Sequence, residues 1–600
     1  MNMVLSGNSN AWLIIRANIN LSHFWYQQHT NDQVLVQTDL GRLPWRETGT
    51  PAISLASAEW QADIQIALRN LMQYVEQQPW ADRVVGFWTA GQVTEEWFAY
   101  GSNSDYYGDY SPVNQREFKK WLEANNFPVD DGDNIPSPAA RSAGGKIFDN
   151  GGARSAFYHQ YASDKTAEVI QLLAKTVKEA SSGKVLAGVH FGYLLQFAGT
   201  DRQTTSATLP STGKLFKDPN VDFFTGVALL DWRTLDGYDT YVTTVDSLLS
   251  HEKLYMVSND TFSYLHPGHW KILYDENNPQ RALFDMHRRV LSSAAVHGIN
   301  GMWFGLQPAW HGNKELHEEF SNEISVYKNT YNLSRRPTAE IALIVDDTSF
   351  AWVPAGAKQL KKTDLKIPLL YLGKSGAPVS LWLLSDIDRL PDHIKLAVIT
   401  FAEAPAKEDA EKLKAAIKNG GRTFVTIGLP GLVDVEKGVW DETVPPEILG
   451  LDVSVDGETY NCFVSSPSED MTLKEWVDES KGSNRKIRRI RFSDVRATTV
   501  ERPLKNNGQL LWYASAPTSR TFWRAVAERA GVHCYAPEGF FVYASEELIS
   551  ITSPEDATVE IIWPYSARVS DFFEEWTGTG RKMRIPFRAG QTRLFKVNKK

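Results

Sequence analysis

The 600 residues contain only two cysteines, Cys462 and Cys534. They stand far apart, with no histidine at metal-motif spacing, so neither a disulfide framework nor a zinc site is indicated and both are expected as buried, reduced thiols. Excess charge of one sign is also scarce: 63 basic against 72 acidic residues leave a net charge of −9, and no basic run exceeds a few residues. Such a chain offers no footprint for nucleic acid. No apolar stretch reaches the roughly 18 residues that a membrane span requires. The first ten residues are polar and lack the apolar core of a secretory signal, which makes a cytoplasmic location the expectation. No G-x-G-x-x-G opens a helix after a strand and no cysteine sits on a strand-to-helix elbow, so no dinucleotide and no glutaminase-type nucleophile is indicated. No cofactor and no metal is expected.

Aromatic rings are abundant: 20 Trp, 22 Tyr and 28 Phe. Rings of this kind fill cores, and they also stack on the apolar faces of sugar rings because they bury large area with few rotatable bonds. At this length two to four domains are expected. From Ala11 to about Leu306, short apolar runs alternate with amphipathic segments. The strands read as Trp12–Asn18, Val84–Thr89, Val185–Phe191, Val221–Gly226, Leu254–Ser258 and Gly301–Gly305. Helical spacing covers Ala58–Glu76, Gln115–Ala124 after the Ser111-Pro112 start signal, and Ala156–Ala180. Continuous apolar strands alternating with helices mean a parallel sheet covered by helices. Six strands are readable, whereas a closed (β/α)8 barrel has eight.

After Pro337 a second α/β pattern begins, with strands Ile341–Asp346, Val379–Leu384, Leu396–Phe401 and Arg422–Ile427. A helix Lys407–Lys418 ends at Asn419-Gly420-Gly421. From about Glu538 the helices stop and short β-type runs follow. The expected division is residues 1–332 as an incomplete (β/α)8-type barrel, 337–537 as a flavodoxin-like α/β domain, and 538–600 as a small antiparallel β domain.

In parallel barrels functional groups gather where strands end. The run Val84 to Trp97 leaves its strand through a Gly/Thr turn and presents Glu95 and Glu96 between aromatic rings. Cleaving a glycosidic bond takes one carboxylic acid to protonate the departing oxygen and a second carboxylate across the sugar, about 5–5.5 Å away for a retaining course. Flanking Trp88, Trp97 and Tyr100 would favour the protonated form of such an acid. The same two glutamates also suit a solvated helix N-terminus, where acids complement the dipole, and on the residues alone the two readings balance.

The segment Thr94-Glu95-Glu96-Trp97-Phe98, then Asp109-Tyr110-Ser111-Pro112, then Gln115 to Leu122, resembles the acid/base region of β-galactosidase-like enzymes related to glycoside hydrolase family 42. The resemblance continues through Gly192-Tyr193-Leu194, Asp218 to Phe223 and Gly301-Met302-Trp303-Phe304, and through the second α/β unit and the β tail. It implies a glycoside hydrolase with Glu96 as proton donor.

 The course it implies is retention of configuration, on β-galactosides or related β-glycosides, in an enzyme that assembles as a homotrimer through the second α/β unit.

Two departures stand beside that resemblance. The family's nucleophilic glutamate ends the seventh barrel strand before an Asn-Asp-Thr stretch, and here Ser258 holds its place before Asn259-Asp260-Thr261. Serine cannot form the glycosyl ester, so Asp260 is the provisional nucleophile, with turn capping as its other reading. Trp12–Asn18 resembles the third barrel strand, so the first two βα units are expected to be missing and the open sheet to need cover. Trp88, Trp97, Trp303 and Trp310 are the candidates for sugar stacking, with core packing as the alternative for each. A sugar-binding or assembly protein that keeps the fold without turnover is the competing function.

Overall fold

The computed structural model describes residues 1–47, 50–102, 106–132, 134–149, 151–197, 209–229, 233–234, 237–238, 240–261, 263–265, 278–305, 312–355, 362–456, 461–464, 473–475, 488–490 and 499–600. Its first sheet contains β1 (Leu13–Asn18), β2 (Val84–Ala90), β3 (Leu186–His190), β4 (Phe223–Val227), β5 (Leu254–Asn259) and β6 (Asn300–Trp303), all parallel and adjacent in that order. The six strands read from the sequence are the six that form, with ends shifted by one or two residues.

Alternation along β1 fixes which face is which. Leu13, Ile15 and Ala17 are buried, whereas Ile14, Arg16 and Asn18 are exposed. Carrying that parity through the register puts Arg16, Trp88, Gly188, Phe223, Leu254 and Asn300 in successive rows on the inner face. The outer face packs under helices. One of them, α1 (Ala58–Glu76), starts where the Ser57 hydroxyl accepts from the Trp60 amide, and buries Trp60, Ile64, Leu68, Met72 and Val75 as one stripe. Helices α2 (Pro112–Ala124) and α3 (Ala153–Ala180) follow β2, the former capped by Ser111 with proline at its first turn. The sequence reading did not identify α4 (Pro279–His297) or α5 (Lys314–Thr330), although both have asparagine caps and α4 stops at left-handed Gly298. Among the described strands, β1 and β6 each have one neighbour. The sheet is an incomplete barrel that leaves Trp12, Ile14 and Leu254 exposed.

The second sheet runs β8 (Val379–Leu383), β7 (Ile341–Val345), β9 (Leu396–Thr400), β10 (Thr423–Ile427), β12 (Gln509–Tyr513), β11 (Thr499–Pro503). The first five are parallel in a flavodoxin-like order and β11 is an antiparallel edge. Strands β11 and β12 escaped the sequence reading. Alternate residues of β7 enter two cores: Ile341, Leu343 and Val345 share theirs with the barrel helices, Ala342 and Ile344 lie in the other. Polar pins join the two sheets, since Asp246 accepts from the Leu381 amide at 2.7 Å and Ser247 from the Leu383 amide at 2.7 Å. The C-terminal sheet is antiparallel, in the order β13 (Phe541–Ala544), β14 (Leu548–Thr552), β17 (Thr592–Lys599), β15 (Ala557–Asp571), β16 (Thr577–Phe587). Strand β15 is longer than its apolar run suggests because its pairing with β16 shifts register between Ile562 and Ala567, across Pro564.

Candidate active site

The chain leaves β2 at Ala90 and folds into a tight loop rather than a helix start, so the helix-terminus reading of Glu95 and Glu96 does not hold. Gln92, Thr94, Glu95 and Trp97 all adopt left-handed backbone angles, φ 57°, 54°, 63° and 62°, each a cost of about 1–3 kcal/mol for residues with a Cβ. The surroundings impose them. The Val93 amide donates to the Phe98 carbonyl at 3.2 Å, the Trp97 amide to the Gly91 carbonyl at 3.0 Å, and the Trp97 indole to the Thr89 carbonyl at 3.2 Å. Trp97 is 0% exposed. Its ring lies where a side chain on residue 91 would strike Ile19 and crowd the indole, which is why glycine stands there.

This loop turns the two glutamates to different partners. Glu95 pairs with Arg16 and accepts from the Asn18 amide at 2.8 Å, so β1 holds it. Glu96 accepts from the Tyr193 hydroxyl at 2.5 Å on Oε1 and from the Thr94 hydroxyl on Oε2. His190, the last residue of β3, places Nε2 2.6 Å from the Tyr193 oxygen and 3.3 Å from Glu96 Oε1. Burial pushes the Glu96 carboxyl up, but the His190 imidazole and the Thr94 and Tyr193 hydroxyls outweigh it and hold the group below the ordinary carboxylate value. The expectation that aromatic neighbours keep Glu96 protonated is thereby overturned. Polar donors, not rings, contact its oxygens. The Tyr193 phenol is driven well above its usual value by burial first, then by the charge of Glu96, and further by that of Asp260.

At the end of β5, register with Val227 and Met302 puts Ser258 on the inner face. Ser258 is 0% exposed, and its hydroxyl, like Asn259 Oδ1 beside it, finds no hydrogen-bond partner among the described residues. Such orphaned polar atoms mark a place for water or a polar ligand. Asp260 pairs with Arg233 at 2.6 Å, and the arginine is almost wholly buried. Both carboxylates follow the carboxyl ends of parallel strands, Glu96 after β2 and Asp260 after β5.

The four candidate tryptophans separate. Trp88 is half-buried on the inner face, stacked on His190 with centroids 5.4 Å apart and with the Arg16 guanidinium 5.5 Å from its ring; its buried indole nitrogen finds no hydrogen-bond partner among the described residues. Trp97 lies in the core and offers no face to a ligand. Trp303 has the outer parity: its indole donates to Glu323 at 3.1 Å and its ring packs on Phe320 of α5, with centroids 4.9 Å apart. Trp310 lies outside the described residues. His190, Thr94, Arg16 and Arg233 were not found from sequence; the one available signal was the polar His190 ending an apolar strand, the place where barrels put function.

No protein-family model and no curated protein matches the sequence. Solved structures do share the fold. A β-galactosidase of glycoside hydrolase family 42 from G. stearothermophilus superposes with a TM-score of 0.66 at 12% identity, over 100% of this chain and 90% of that one. The β-galactosidase of the Antarctic haloarchaeon Halorubrum lacusprofundi gives 0.66 at 14% identity, over 99% and 90%. That of Bacillus circulans sp. alkalophilus gives 0.65 at 12%, over 97% and 88%.

Proposed function

We propose that this chain, which has the fold of the family 42 β-galactosidases, is a glycoside hydrolase acting on β-galactosides or related β-glycosides. Glu96 handles the proton of the departing oxygen and Asp260 is the second carboxylate. The observation that carries this reading is the Glu96 carboxylate after β2, held by the Tyr193 hydroxyl at 2.5 Å and by the Thr94 hydroxyl, in the same parallel sheet whose β5 leads into Asp260. Arg233, 2.6 Å from Asp260, fixes the position of that carboxylate. Thr94, Tyr193 and His190 fix Glu96 in one orientation, as an acid aimed at a glycosidic oxygen must be. Trp88 is the candidate aromatic that remains at the site.

Exchange of Glu96 for glutamine keeps the shape and removes the proton. Glu96→Gln is expected to lower turnover of an alkyl galactoside at least about 100-fold with an unchanged unfolding temperature; unaltered turnover rules the assignment out. A second reading, sugar binding without turnover, is favoured by Ser258, which stands where the resemblance calls for a carboxylate. Aryl β-glycosides screened for release, beside calorimetric titration with galactosides, separate the two: binding with no release supports the second. The resemblance also supports a homotrimer built through the β7–β12 sheet, and a monomer in sedimentation at micromolar concentration argues against it.

A further inference from the structure

Glu96 is not held as an isolated acid. Tyr193 donates its hydroxyl proton to Glu96 Oε1 at 2.5 Å, so the phenol oxygen accepts from His190 Nε2–H at 2.6 Å. The three groups form a chain that begins on the inner face of β3 and ends at the carboxylate. His190 itself is clamped, with Trp88 stacked at 5.4 Å and 20° and Tyr193 at 5.5 Å and 25°. A ring fixed on both sides and aimed through a hydroxyl at a carboxylate has the geometry of a proton store.

We propose that His190 holds the proton that Glu96 delivers, and that Tyr193 passes it between them. This rests on the hydrolase reading above and names the positioning residues of that same site. As the glycosidic C–O bond breaks and its electron pair stays on the departing oxygen, Tyr193 passes its proton to the Glu96 carboxylate, Glu96 delivers a proton to that oxygen and returns to carboxylate, and His190 Nε2 supplies one to Tyr193. Imidazolium becomes neutral imidazole. The water that completes hydrolysis adds its hydroxide to the sugar and releases one proton, which restores the His190–Glu96 pair.

The charged and titratable groups facing this chain come from every side of the barrel mouth. Glu95 and Arg16 pair with each other across β1, and Arg16 lies over Trp88. Asp260 and Arg233 pair beyond β5, and the Tyr255 phenol of β5 acts on Tyr193. Among the described residues, these formal charges outside the chain each have an opposite partner.

Two measurements test this. In the first, kcat/KM is followed against pH with a galactoside of a poor alkyl leaving group and with a dinitrophenyl galactoside, whose leaving group needs no proton. His190→Gln is expected to lower the alkyl substrate about 100-fold, to leave the dinitrophenyl substrate within about threefold, and to move the alkaline limb of the profile to lower pH. An equal loss on both substrates with an unmoved limb overturns the proposal and leaves the hydrolase reading standing. The second needs no turnover. The His190 imidazole signal, assigned by its absence in His190→Gln, is titrated by NMR in the intact protein and in Glu96→Gln. A drop of the His190 midpoint in Glu96→Gln by one pH unit or more is expected, and an unchanged midpoint overturns the shared proton. Absence of any turnover by the unaltered protein defeats the hydrolase reading instead, and with it the catalytic use of the pair.

Discussion

Replacing Trp97 by alanine separates the loop that carries Glu96 from the scaffold that bends it. The indole is fully buried and donates to the Thr89 carbonyl. Truncating a buried Trp costs about 3–5 kcal/mol, and the carbonyl left behind adds about 1 kcal/mol. Against this, loosening the loop lets left-handed residues relax, and each that does so returns about 1–3 kcal/mol. With one residue relaxed the net loss is about 1–5 kcal/mol. For a barrel-sized cooperative unit that lowers the unfolding temperature by roughly 2–20 °C. Trp97→Phe keeps most of the ring and is expected to lose about half as much. Calorimetry gives the unfolding temperature, and hydrogen exchange of amides 91–98 reports the loop, which is expected to exchange faster in Trp97→Ala while strand β3 does not. An unfolding temperature within 1 °C of the starting protein, with unchanged exchange of amides 91–98, would refute the account of this loop as a bend imposed by core packing.

Trp303 tests the parity argument: Trp303→Phe is expected to leave galactoside affinity within about twofold while costing about 1–3 kcal/mol in thermal unfolding, because Glu323, 1% exposed, loses its indole donor. A large loss of affinity would place this side chain inside the barrel after all. Asp109 gives a pH signature. Burial pushes its carboxyl up to about 6 despite the hydroxyl of Ser54 and the donors of Ser111. The folded state therefore binds the proton more tightly than the unfolded state, and stability falls as pH rises from about 4 to about 6, by at most about 3 kcal/mol. Unfolding temperatures measured across that window should show the fall in the unaltered protein and lose it in Asp109→Asn.

The strands were legible because each is a short apolar run bounded by turn residues, and six such runs became six strands. Helix α1 was legible to the residue, since Ser57 caps it and its apolar stripe is regular. Strands β11 and β12 were not, because β11 contains Glu501, Arg502 and Pro503 and pairs only with β12 among the described strands, while β12 depends on pairing with β10, a long-range contact that local pattern does not encode. Glu96 could be picked out by its neighbourhood, but its proton affinity could not. That is set by His190 and Tyr193, which lie some 95 residues away in sequence and meet it only through the register of β2 and β3. Trp97 and Trp303 misled for the same reason: composition shows a ring, and only strand parity and loop shape show which way it faces.

Parity also bears on the stereochemistry. Ser258 and Asp260 share it, and each residue of an extended chain advances about 3.3 Å, so the carboxylate has moved about 6.6 Å outward from the position of Ser258. Aspartate is one carbon shorter than glutamate, which does not restore the reach. Retention needs the carboxyl groups about 5–5.5 Å apart, whereas inversion needs about 6.5–9.5 Å, with room for a water between them. The orphaned Ser258 hydroxyl, on the inner face, offers that water a polar partner. On the proposed reading of Asp260 as the second carboxylate, the outward shift predicts inversion rather than the retaining course that the resemblance implies, with Asp260 as base. Proton NMR of the first sugar released from a β-galactoside decides it: α-galactose appearing before mutarotation is the expected result. Initial release of β-galactose, with a glycosyl ester on Asp260 trapped by a 2-fluoro galactoside, would show that the chain brings Asp260 back to the anomeric carbon.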